Sequence, residues 1–236
     1  MNAIANLIDF WRQLDIDNGV RIHPSDRAAM QGENAFDTTA MPYPYVGDIH
    51  GADVWVLMLN SGIGPDDAKH EAQDYFSERL RRNLVQDFEG EEFPMLSVDP
   101  RLTHTGTYAY YNGRNRVEKL INQLAANRGV KEVEARKEIS RRVAVVQLFP
   151  YRSKDGVPGR LLNSSVKSVA LAKAAVKEAM QSKLIVVPRA ATSWGFQYGV
   201  QRDNLFTFRG DQARSASLMP GGSCGGGDAI LRRLAA

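Results

Sequence analysis

The sequence predicts an α/β protein, a three-layer α/β/α arrangement on a four-stranded parallel sheet with its strands in spatial order 2-1-3-4. Two observations carry this. Four short apolar runs, at about 54–59, 143–149, 184–187 and 205–208, lack polar alternation, as expected of strands buried on both faces. Longer segments with helical periodicity lie between them, so strands and helices alternate and the crossovers are right-handed. The 236 residues are read as one domain, 1–236.

Taken in order, Ile4, Leu7, Ile8, Trp11 and Leu14 mark one apolar face of a first helix. Residues 17–50 are rich in Gly, Pro, Asp and Thr and read as a long loop, unusual enough to suggest a functional or wrapping role. The first strand stops at Asn60-Ser61-Gly62-Ile63-Gly64-Pro65, a turn-rich loop. Asp66 and Asp67 then open a helix reaching about Phe88, with Ala68, Ala72, Tyr75, Phe76, Leu80 and Leu84 on its inner face. Residues 89–112 read as irregular and carry Tyr108, Tyr110 and Tyr111. Helices follow over about 113–127 and 130–142. The second strand ends at Pro150-Tyr151-Arg152-Ser153, and Asn163 or Ser164 can cap a helix reaching Gln181. The third strand leads into Arg189–Gly195. A glycine-rich loop, Gly221 to Gly227, precedes a last helix starting near Asp228.

Composition narrows the classes. The chain is 43% hydrophobic and 24% charged, enough for a sizeable core, with no apolar run long enough to span a bilayer. Its start leads straight into an amphipathic pattern rather than a secretory signal. Cys224 is the sole cysteine, which rules out an internal disulfide and suits a reducing, cytoplasmic setting. A net charge of +3 permits nucleic-acid binding without demanding it. The basic groups Arg79, Arg81, Arg82 and Arg136, Lys137, Arg141, Arg142 read as solvated helix faces.

Ligands of parallel sheets sit at the carboxyl ends of the strands, so the post-strand loops hold the candidate site. Asn60 ends the first strand, where an amide can orient water or bind a carbonyl. Gln147 is a polar residue inside an apolar strand, and its buried amide needs partners that a nucleobase edge could supply. Phe149, Tyr151 and Trp194 are candidate stacking residues. Arg152, Arg189 and Arg214 are candidate phosphate partners. Gly221 and Gly222, ahead of the last helix, resemble an anion cradle. Asp66, Asp67, Glu71 and Asp74, with His70 nearby, form a carboxylate set read as an exposed helix face rather than a metal site. No cofactor or metal is expected.

The order of these features resembles the uracil-DNA glycosylase superfamily, over about residues 40–236. Leu59-Asn60-Ser61-Gly62 is similar to the family's N-P-G strand end, with Ser61 in place of proline, and Pro44-Tyr45-Val46-Gly47-Asp48 stands ahead of it. Val145-Val146-Gln147 is similar to the strand whose Asn recognises the uracil edge, with Gln here. Arg214-Ser215-Ala216-Ser217-Leu218-Met219 resembles the H-P-S-P-L-S motif, with Arg214 at the histidine and both prolines missing. The resemblance implies that Asn60 positions the attacking water, Arg214 stabilises the departing base, and Ser61, Gly62, Gln147 and Ser217 contact the substrate. Asn60 cannot be a general base, which leaves Asp66 as the substitute carboxylate. The function expected is a glycosylase-like hydrolase acting on a base in DNA or a nucleoside. The alternatives are a non-catalytic module binding nucleic acid or a nucleotide in the same crevice, and a metal-dependent phosphohydrolase using the Asp66–Asp74 carboxylates.

Overall fold

The computed structural model describes residues 2–17, 19–33, 35–113, 116–163 and 165–235. In chain order the helices are α1 (Ala3–Arg12), α2 (Arg27–Met30), α3 (Asp67–Glu71), α4 (Asp74–Val85), α5 (Gly106–Asn112), α6 (Val117–Arg128), α7 (Glu132–Arg142), α8 (Lys167–Ala179), α9 (Ala191–Trp194) and α10 (Gly226–Ala235). The strands are β1 (Phe36–Asp37), β2 (Tyr45–Val46), β3 (Val54–Met58), β4 (Val143–Gln147), β5 (Arg152–Ser153), β6 (Leu184–Val187), β7 (Gln201–Arg202) and β8 (Leu205–Thr207).

The main sheet has six strands in the order β2-β4-β3-β6-β8-β7. The α/β class with a mostly parallel sheet is as expected, but the expected four-stranded sheet is corrected to six strands. The inner four run parallel, while β2 and β7 add antiparallel edges against β4 and β8. Strands of two residues leave no periodicity to read, so neither edge has a signature in the sequence. β1 and β5 form a separate antiparallel pair.

Every residue of β3, β4, β6 and β8 is buried, which is why these strands are Val-, Ile- and Leu-rich. Leaving β3 the chain crosses to β4 on one side, and leaving β4 it returns past β3 to β6. With right-handed crossovers these opposite moves place their helices on opposite faces. In agreement, α8 packs on α1, whereas α6 packs on α7 and α10.

Two helices depart from the sequence reading for local reasons. The expected Asp66–Phe88 helix is interrupted at Gln73, whose extended backbone (φ −80°, ψ 127°) separates α3 from α4. None of α3 is fully buried, so no apolar stripe holds it in line with α4. The α8 helix is capped from a distance: the buried Asp26 carboxylate accepts from Ser168 N at 3.1 Å. Of the expected caps, Asn163 accepts from Ser165 N instead, and Ser164 lies outside the described residues. The 17–50 segment is structured, with α2, β1, β2 and a 3₁₀ turn at Pro24–Asp26. Within 89–112, α5 is capped by Thr105, whose hydroxyl accepts from Tyr108 N at 3.3 Å. No helix among the described residues is long and apolar enough to cross a membrane.

Candidate functional site

The register of the sheet builds the site. Met58 at the end of β3 stands beside Gln147 at the end of β4. The ladder then continues beyond both strands: Leu148 N donates to Met58 O, Phe149 N to Leu59 O, and Ser153 N to Ser61 O. The Asn60–Gly62 loop is thereby fastened along its length to the 148–153 loop. At this carboxyl edge lies a cleft of about 910 Å³. Asn60, Ser61, Gly62, Gln147, Arg152, Arg189 and Arg214 all line it, together with Tyr43, Phe76, Tyr110 and Tyr111.

Asn60 is half-buried and held by its amide nitrogen, which donates to Ser153 Oγ at 2.8 Å and Ser61 O at 3.2 Å. Ser153 Oγ in turn donates to Gly156 O at 2.7 Å, which fixes the direction of the chain of bonds. No hydrogen bond engages Asn60 Oδ1 among the described residues. Gln147 is 5% exposed, and its Oε1 is buried with no hydrogen-bond partner. Such an acceptor ordinarily costs about 1–3 kcal/mol if left unmet, which makes it the most unusual group in the cleft.

Arg152 sits differently from expectation. It is 5% exposed, donates from Nε to Gly62 O at 3.1 Å, and forms ion pairs with Asp67 and Glu71. Its guanidinium also lies 5.2 Å from the Tyr43 ring centroid. A cation buried between two carboxylates has its charge already matched and is not free for a phosphate. Burial pushes the Glu71 carboxyl up, and Arg152 only partly offsets this. Burial also holds the Tyr43 and Tyr111 phenols far above their ordinary value, so both face the cleft as neutral hydroxyls. Asp67 accepts from Gly64 N at 2.6 Å besides pairing with Arg152. Asp66 is exposed and outside the cleft lining, so it is not the expected substitute base. Helix geometry explains the exchange: Asp67 and Glu71, four apart, share the face turned to Arg152. Asp66 and Asp74 point away into solvent, and no group of three or more potential metal ligands gathers among the described residues.

Arg189 turns to the backbone, donating from Nε to Ala213 O at 3.1 Å and from Nη2 to Arg214 O at 2.6 Å. The Arg214 side chain is exposed on the cleft and has no hydrogen bond or ion pair among the described residues. Ser217 is half-buried and lies off the cleft, where its Oγ accepts from Met219 N at 3.2 Å.

The expected stacking residues are core residues. Phe149 is fully buried against Phe36 at 5.0 Å between centroids. Tyr151 is 2% exposed and donates to Asp26 Oδ2 at 2.8 Å. Trp194 Nε1 donates to Met58 O at 3.2 Å. None offers a free face to a base. The aromatic wall comes instead from Phe76, on the inner face of α4 as expected, and from Tyr43, Tyr110 and Tyr111, in segments whose local sequence gave no strand or helix signal. The Tyr108–Tyr111 cluster in an irregular stretch was the one available pointer. Tyr110 is backed by the buried Arg116, whose guanidinium carbon lies 3.7 Å from the ring centroid.

The glycine loop is no open anion cradle. Gly221 N already donates to the Asp228 carboxylate at 2.9 and 3.2 Å, and Gly222 N to Met219 O at 3.2 Å. Its glycines serve packing: a Cβ on Gly226 would meet the Phe208 ring, and one on Gly227 the Leu218 carbonyl and Pro220 nitrogen. Comparison of the chain with protein-family models, with curated proteins and with solved structures returned no match.

Proposed function

We propose that the cleft recognises a nucleobase, carried by single-stranded DNA or a nucleotide, in the manner expected of a uracil-DNA glycosylase-like protein. The observation that carries this reading is Gln147: a buried acceptor without a partner, at the floor of an aromatic-walled cleft. A flat heterocycle presenting a ring N–H would satisfy Oε1 while its faces meet Tyr110 or Tyr111. Stacking of this kind contributes about 1–3 kcal/mol per base. Arg214, exposed and without a carboxylate, supplies the positive charge that a phosphate or an anionic leaving base requires.

Hydrolysis of the N-glycosidic bond is the second reading. It is favoured by the fixed amide of Asn60, whose unengaged Oδ1 is suited to accept from a water. The engagement of Asp67 and Glu71 with Arg152 weighs against it, because no free carboxylate remains in the cleft to take the proton.

One experiment separates the two. A labelled single strand containing uracil is titrated with the protein at low salt, and free base is assayed after long incubation. Binding without release supports recognition alone. Release that disappears in Asn60→Ala, with binding retained, supports the hydrolase. Neither binding nor release would remove the proposal altogether.

A further inference from the structure

We infer that Arg189 is a positioning residue, a clasp that sets Arg214 at the mouth of the cleft, rather than a contact to the ligand. The functional consequence rests on the base-recognition reading above; the clasp itself does not. Arg189 follows β6 and reaches two successive carbonyls of the turn that carries Arg214, Ala213 O at 3.1 Å and Arg214 O at 2.6 Å. A planar guanidinium fork matches two such acceptors, whereas a lysine ammonium is a single point donor on a flexible stem.

The backbone on both sides of the clasp is strained. Ala190, next to Arg189, has φ 53°, and Ala216, two residues after Arg214, has φ 48°. Left-handed backbone is unfavourable for a residue with a Cβ, and single outliers persist only where the surroundings enforce them. Gln86 is the one other such non-glycine residue among those described, and it ends a helix. Ala216 is 2% exposed, which anchors the turn from the far side. Between these fixed points the Arg214 side chain is exposed and without a partner among the described residues. The fold thus fixes the backbone of the turn and leaves the charge free.

Amide hydrogen exchange over residues 213–217 tests the clasp without any ligand. Arg189→Ala and Arg189→Lys should each speed exchange there about tenfold or more, while Arg214→Ala leaves it unchanged. Unaltered exchange in both Arg189 variants overturns the inference. Titration of the uracil-containing single strand at several salt concentrations then tests what the clasp does. Arg214→Ala should weaken binding and flatten the salt slope by about one unit. Arg189→Lys, which keeps the charge, should lose as much affinity as Arg189→Ala, and Arg189→Ala combined with Arg214→Ala should lose no more than Arg214→Ala alone. Full affinity in Arg189→Lys, or additive losses in the double variant, would show that Arg189 meets the ligand by charge and would overturn the positioning role. Failure of the wild type to bind would count against the proposed function, and the exchange arm would still decide the clasp.

Discussion

Gln147 ends a strand whose other four residues are apolar, and its Oε1 has no partner. A group held for a ligand is a burden to the free protein. Gln147→Met, similar in shape and without the amide, should therefore raise stability by about 1 kcal/mol. Urea unfolding monitored by circular dichroism measures this, and a fall of similar size would mean that the amide has a structural partner. Gln147 was legible in the sequence because a polar residue interrupts an apolar run. Asn60 and Arg214 were legible as post-strand residues. Phe149, Tyr151 and Trp194 were not, because loop position says nothing about which way a ring turns. All three turn into the core.

The α3 helix is held by charge rather than by burial. It has no buried residue, and Asp67 and Glu71 tie it to Arg152 of β5. Arg152 also reaches Gly62 O, so one guanidinium joins α3, β5 and the Asn60 loop. Removing a single partner of a buried ion pair strands the remaining charges. Arg152→Met should cost about 3–5 kcal/mol, read as a lower urea midpoint with an unchanged slope. A loss below ~1 kcal/mol would indicate that solvent reaches the carboxylates. This network was hidden from the sequence, since about 80 residues separate Arg152 from Asp67 and Glu71. The Asp67/Glu71 spacing announced a shared face but not what that face meets. The edge strands β2 and β7 were hidden for a different reason: two residues cannot show a period.

At the scale of the molecule, the four inner strands were readable from their apolar runs, and residues 17–50 were readable as a long wrapping or functional loop, but the short elements within it were not. That wrapping places a buried titratable group in the core. His23 stacks on Phe10 with centroids 3.5 Å apart, its Nδ1 accepts from Ser25 N, and its pKa is lowered below 6.5, chiefly by burial, with Arg27 adding to the effect and Asp26 opposing it. The unfolded chain therefore takes up a proton near pH 6.5 that the folded chain refuses until lower pH. Unfolded protons exceed folded ones in that window, so stability falls as pH drops below about 6.5 and is level above it. His23→Asn keeps an acceptor for Ser25 N and removes the titration. Thermal melts from about pH 5 to 8 should show the decline in the wild type and a flatter profile in the variant. Equal slopes would assign the decline to another group. A second loss belongs below pH 3.8. Burial alone would raise the Asp99 carboxyl, but hydrogen bonds from Arg101 and Tyr75 overcome it and lower its pKa.

These scales meet in the cleft, where the central claim is that a base satisfies Gln147. The most direct measurement is the affinity of wild type and Gln147→Met for the same uracil-containing single strand across a range of salt. Loss of one buried hydrogen bond should weaken binding by about tenfold at every salt concentration while leaving the salt slope unchanged, because phosphate contacts remain. Equal affinity of the two proteins, or a changed slope with no uniform loss, would contradict the claim that Gln147 reads the base.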